Sequence, residues 1–183
     1  MGYVLVLAGS VACFLSGDRN STAYANSDPV QPSQRTNYSQ SVAEHYNKHF
    51  GSDHPFLLSF ATTDTSEFIN PKAFPTAEYC GRCHLEAHAE WRQSAHSNSF
   101  RTPWYTRNVN LLKEKKGIEY TGHCEGCHNP TALVSGALTE GSPINRKFDE
   151  DGITCSVCHA IKKVDTRGTG SYVIAQPAAN AAA

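Results

Sequence analysis

The chain has 183 residues, with 16 Lys and Arg against 17 Asp and Glu and a formal net charge of -1. That balance leaves no basic footprint for nucleic acid. Hydrophobic residues are 39% of the sequence, lean for a domain that builds its core from side chains alone, and the length allows one ordinary domain with short appendages.

In chain order, Tyr3 to Leu15 is almost continuously apolar. The run is too short to span a bilayer but suits the h-region of a secretory signal, and Ala23-Tyr24-Ala25 supplies an A-x-A cleavage pattern. Residues 1–25 are therefore expected to be a signal peptide, although no Lys or Arg precedes the apolar run. Lipid anchoring at Cys13 is the less favoured alternative, because Ser10-Val11-Ala12-Cys13 lacks the usual leading Leu. Residues 26–40 are polar, contain Pro29 and Pro32, and read as a disordered arm or linker. The main domain is expected over 41–175, followed by a frayed Ala-rich tail at 176–183.

Within that domain, residues 41–50 read as a short helix that puts His45 and His49 at i,i+4 on one face. Residues 51–75, with Pro55, Pro71 and Pro75, read as loops. Leu85 to Phe100 reads as a helix stopped by Pro103. A second helix over 105–116 ends in Lys113, Lys115 and Lys116, which suit the negative end of its dipole, and Gly117 stops it. Residues 129–152, with Pro130, Gly136, Gly141, Pro143 and Gly152, read as loop, and only Ser171 to Ala175 looks strand-like. The expected fold class is mainly α with long loops, short helices and little or no sheet.

One pentapeptide pattern, Cys-x-x-Cys-His, occurs three times: at Cys80–His84, Cys124–His128 and Cys155–His159. This is the attachment signature of c-type haem. Cys80 and Cys83, Cys124 and Cys127, and Cys155 and Cys158 would each form two thioethers to a porphyrin. His84, His128 and His159 would reach the three irons as proximal ligands. Only Cys13 lies outside the motifs. A zinc ribbon pairs its cysteine units two by two, and four-Cys iron–sulfur clusters do not divide six cysteines, so both fit poorly. Three covalent haems also resolve the lean composition, since short helices wrapped around porphyrins need less side-chain core. Haem of this type is attached outside the bacterial inner membrane, in keeping with export to the periplasm or cell surface.

The ligand opposite each proximal histidine separates electron transfer from chemistry. Met1 is the only methionine and is lost on processing, so methionine ligation is excluded. Six histidines lie outside the motifs, and two or three of them are expected as distal ligands. In falling order the candidates are His96, His49, His88, His45, His123 and His54. His88 follows His84 by four residues and would compete for the same iron or address a neighbour. His123 directly precedes Cys124 and is read either as a ligand to an adjacent haem or as a polar residue near a propionate.

The first motif continues into Trp91, Ser94 and His96, giving C-x-x-C-H-x(6)-W-x-x-S-x-H. With CEGCHNP at Cys124 to Pro130 and GITCSVCHAI at Gly152 to Ile161, the chain resembles multihaem cytochromes c of the group that includes hydroxylamine oxidoreductase and its tetrahaem electron-acceptor cytochrome. The resemblance covers roughly residues 74–175. It implies that His96 serves as a distal ligand to another haem, which places it first among the candidates. Members of the group usually carry four, eight or more haems, against three motifs here. A short member, a truncated product and one subunit of a larger haem wire all fit that difference. The enzymatic haem of hydroxylamine oxidoreductase lies outside the matched region, so the resemblance implies electron transfer and does not carry over catalysis.

The leading expectation is thus an exported electron carrier with mostly bis-histidine haems, rather than an enzyme. Its partners would be redox proteins met by transient contact, among them other multihaem cytochromes or a membrane quinol-oxidising complex. One alternative is a redox enzyme for a small nitrogen or sulfur species at a single open haem, with Arg92, Arg101, Tyr105 and His123 as scattered candidate proton donors. Another is a haem-bearing subunit of a filament or membrane complex, or a homo-oligomer.

Overall fold

A computed structural model describes residues 32–46, 50–51, 53–142 and 146–177. The expected signal peptide, Cys13, His49 and residues 178–183 of the tail lie outside the described residues. The described part is mainly helical, with short helices and one small sheet.

Helix α1 (Pro32–Ala43) corrects the expectation of a disordered arm over its first residues. It has no apolar stripe. Polar side chains fix it, beside Tyr38 and Val42, which pack on the core. Buried Arg35 pairs with Asp64 at 2.9 Å and donates to the Glu67 carbonyl at 3.2 Å. The Tyr38 hydroxyl donates to the Ser135 carbonyl at 2.7 Å, and Ser39 Oγ accepts the Phe68 amide at 3.0 Å. Composition alone marks such a segment as disordered, because these bonds exist only once residues 64–68 and 135 are in place. The helix ends at Ala43, so His45 sits in the following turn and not on the expected helical face.

Residues 51–75 are largely loop, as expected, but contribute strand β1 (Thr62–Thr63). After α2 (Ala77–Gly81), the helix expected over 85–100 divides into α3 (Leu85–Gln93) and α4 (Ala95–Asn98). Ser94 makes the break. It is extended (ψ 162°), donates to the Trp91 carbonyl at 2.7 Å and accepts the Ser97 amide at 3.4 Å. A serine oxygen offers the backbone an alternative to the helical ladder. Pro103 starts a helix instead of stopping one: α5 (Pro103–Lys116) carries it in the first turn, where the missing N–H costs nothing. Gly117 ends α5 at φ 101°, and the three lysines fall in the last turn as expected.

Helices α6 (Gly122–His128) and α7 (Pro130–Val134) follow. The segment expected to be loop therefore holds the best-buried element of the fold, since all five residues of α7 are buried. Five residues are too few to show a 3.6 periodicity, and Pro130 reads as a breaker, although here it sits at the helix start. Asn129 caps α7 by accepting the Ala132 amide at 3.1 Å, and its Nδ2 donates to Asp149 at 2.6 Å. Asp149 in turn pairs with Arg146 at 3.0 Å. This polar spine is buried and satisfied, as a low-dielectric interior requires.

Helix α8 (Cys155–Ala160) runs directly into β2 (Ile161–Val164), and β3 (Tyr172–Ile174) completes a sheet of order β1-β3-β2. Strand β3 pairs parallel to β1 and antiparallel to β2. The core gathers Phe56, Phe68, Ile69, Leu133, Leu138, Val157 and Ile174. Truncating Leu133, which is fully buried, is expected to cost about 2–5 kcal/mol. A fall in Tm of the Leu133→Ala protein by calorimetry checks this, and an unchanged Tm would place the core elsewhere.

Candidate haem-attachment sites

All three Cys-x-x-Cys-His motifs lie on or directly at the end of a short helix: the first on α2 and its exit, the second within α6, the third within α8. On a helix, positions i, i+3 and i+4 share one face. That face points outward each time. Cys83, Cys127 and Cys158 are exposed, and Cys80, Cys124 and Cys155 are half-buried. Of the intervening residues, Gly81, Glu125, Gly126, Ser156 and Val157 are buried, and only Arg82 is exposed. The spacing thus buries what lies between the cysteines and presents two thiols and an imidazole to one external partner.

The six described cysteines are unpaired. Burial pushes the Cys80, Cys124, Cys155 and Cys158 thiols up from their ordinary range, which disfavours the thiolate that zinc or a redox dithiol needs. Among the described residues no three His, Cys, Asp or Glu side chains converge as a metal-ion site.

The three faces belong to one bonded cluster. Helices α2 and α8 pack together, which brings the Cys80 and Cys155 thiols near enough to influence one another. Asp151 accepts the Ala77 amide at 2.9 Å and Ser156 donates to the Pro75 carbonyl at 3.0 Å, which ties the approaches to the first and third motifs. Tyr172 on β3 interacts electrostatically with both Cys127 and Cys158, and its hydroxyl donates to the Gly126 carbonyl at 2.7 Å. Trp91 has a positioning role: Nε1 donates to the Ile153 carbonyl at 2.8 Å, while the Ile153 amide donates to the His96 carbonyl at 3.1 Å. The W-x-x-S-x-H segment therefore clamps the strand entering the third motif. Gly152 lies at φ +57°, and a Cβ there would come within 2.7 Å of the His96 carbonyl.

Around the second motif, His128 Nδ1 lies 2.7 Å from the Ser99 carbonyl. A carbonyl only accepts, so Nδ1 carries the proton and Nε2 keeps the lone pair that a metal takes. The Tyr105 ring stacks on His128 at 3.8 Å and 7°. Of the distal candidates, His88 packs on Gly81, where a Cβ would come within 2.7 Å of its ring, and on Trp91 at 5.5 Å. His96 and His54 are exposed. His45 Nδ1 donates to the Ser41 carbonyl and His123 Nδ1 to that of Leu58, both at 2.9 Å.

The residues fit a large, flat, apolar group. Helices α3 and α5 bury no residue, although Leu85 and Trp104 stand 72% and 79% exposed. An amphipathic helix of this length normally buries a stripe against something. A cleft of about 570 Å³ runs along α5, lined by Arg101, Pro103, Thr106, Arg107, Asn110 and Leu111 among others. The outward thiols and imidazoles on neighbouring helices, repeated three times as Cys-x-x-Cys-His, are the pattern of a multihaem c-type cytochrome. Residues 79–160 match the family model described as cytochrome c554 and c-prime, and this segment is a domain of that family. No curated protein and no solved structure matches the chain.

One functional neighbour escaped the sequence reading. Glu125, between the cysteines of the second motif, is 2% exposed. Burial pushes its carboxyl up to about 8, against the opposing pull of the Tyr105 hydroxyl and Arg146. Tyr105 Oη and Glu125 Oε2 are both buried without a hydrogen bond of sound geometry. A carboxyl that keeps its proton to higher pH in the folded than in the unfolded chain makes stability fall as pH rises from about 4.5 to about 8. Glu125→Gln is expected to flatten that fall, measured as Tm by circular dichroism across this range. A slope equal to the parent's would mean that Glu125 is ionised in the fold.

Proposed function

We propose that this chain is an exported electron carrier holding three covalent haems, with Cys80 and Cys83, Cys124 and Cys127, and Cys155 and Cys158 as attachment residues and His84, His128 and His159 as proximal ligands. The observation that carries this reading is the linkage of the motif helices: α2 packs on α8, Ser156 donates to the Pro75 carbonyl at 3.0 Å, and Tyr172 donates to the Gly126 carbonyl at 2.7 Å. Porphyrins attached to such helices begin as neighbours. When bound, the haems would supply one-electron redox centres close enough for electrons to pass between them.

The chain's own residues hold the spacing and set the environment. Trp91, Ser156, Asp151 and Tyr172 fix one attachment helix against another through backbone hydrogen bonds. Ser99 and Tyr105 orient the His128 imidazole, a second shell that makes a histidine a better ligand. Met1 is the only methionine in the sequence, which favours histidine as the sixth ligand and low potentials relative to Met/His haems. No described helix is long and apolar enough to cross a membrane. Export to the periplasm and transient pairing with another redox protein, in an encounter of modest area, complete the reading.

Expression of the chain with the cytochrome c maturation machinery tests it. Three haems per polypeptide by pyridine haemochrome and mass, all low-spin by EPR, are expected. A substantial high-spin fraction that binds cyanide or nitrite would replace the carrier with the enzyme reading.

A further inference from the structure

His123 stands immediately before the second motif, at the start of α6. Its Nδ1 lies 2.9 Å from the carbonyl oxygen of Leu58, a residue 65 positions away. The carbonyl can only accept, so the proton sits on Nδ1 and the lone pair on Nε2. The ring is exposed. A histidine whose one nitrogen is oriented by a backbone carbonyl, with the other nitrogen free, is in the state that metal-ligating histidines adopt. His128 is held in the same way by Ser99.

The carbonyl that orients His123 is aimed by an uncommon backbone. Leu58 has φ 73°, a left-handed conformation that a branched, non-glycine residue adopts only where its surroundings impose it. Its loop is fixed by turn bonds from Leu57 N to His54 O and Ser59 N to Phe56 O, each 3.0 Å, and by buried Phe56. The same loop exposes Leu57, Leu58 and Phe60 at 47%, 40% and 47%. An exposed imidazole with a fixed tautomer therefore sits beside a loop that leaves three large apolar side chains in the open.

The other candidates lack this combination. The His45 bond to Ser41 spans only four residues on an exposed turn. The His88 ring is packed on Gly81 and Trp91. No hydrogen bond among the described residues orients the rings of His54 and His96, and His49 lies outside them.

We infer that His123 supplies Nε2 as the distal ligand of a haem other than the one attached at Cys124 and Cys127. Its own haem is excluded by the helix. Successive residues advance about 100°, which puts His123 about 140° around α6 from His128. His128 would take the near side of that iron, and no residue of the same two-turn helix reaches the far face of the porphyrin. The inference rests on the reading of the motifs as haem attachment sites.

The test uses the full chain, matured with haem, as parent and as His123→Gly. The expected result is an equal number of covalent haems in both, with one haem's share of the low-spin EPR signal converted to high-spin in the variant. Added imidazole should restore the low-spin signal, which a purely structural role for His123 would not allow. A variant that keeps the parent's full low-spin intensity overturns the inference and leaves haem attachment standing. A parent without haem overturns both. Should His123→Gly mature poorly, His123→Met takes its place. One haem then shows the near-infrared charge-transfer band of Met/His ligation, and a spectrum identical to the parent's overturns the inference.

Discussion

A cysteine, a second cysteine three positions on and a histidine beside it fall on one face of an α-helix; the second and third motifs lie so, the first leaves α2 at Gly81, and all three expose their second cysteine. Each motif helix is short and is held by hydrogen bonds such as Ala77 to Asp151, Ser156 to Pro75 and Gly126 to Tyr172. The residues between the cysteines turn inward: Val157 enters the core, and Gly126 gives its carbonyl to Tyr172. The small residues there follow from the same constraint. At Gly81 the space a side chain would occupy is filled by the ring of His88.

This arrangement divides the molecule into two layers. One is an ordinary protein core of α7, the small sheet and the loop around Phe56 and Phe68, pinned by the Asn129–Asp149–Arg146 spine. The other carries the exposed second cysteines of the three motifs and helices α3 and α5. Helices α3 and α5 leave Leu85 and Trp104 in the open and bury no residue completely. The modest hydrophobic content of the sequence has its explanation here.

The three Cys-x-x-Cys-His motifs were legible because their pattern is local. The helix over 105–116 was legible for the same reason, with its terminal lysines and Gly117, and the mainly α class follows from it. The failures share one cause. Helix α1 is mostly polar and depends on Asp64, Glu67 and Ser135 for its bonds. The break at Ser94 looks like helix by propensity, yet the chain must turn there so that the Ile153 amide can meet the His96 carbonyl. Helix α7 is too short for periodicity, and β1 and β2 are too short to stand out from loop. Trp91 was visible as part of a motif, but not as the donor to Ile153.

The sequence by itself determined that this chain carries three Cys-x-x-Cys-His motifs, and how their residues are spaced, because spacing and residue type are properties of the chain alone. Only the tertiary structure decided which faces are neighbours and which imidazoles are held ready. The packing of α2 on α8, the bond from Tyr172 to the Gly126 carbonyl, and the grip of the Leu58 carbonyl on His123 each join residues far apart in the chain. Such contacts are set by loop closure and packing, which no local spacing encodes.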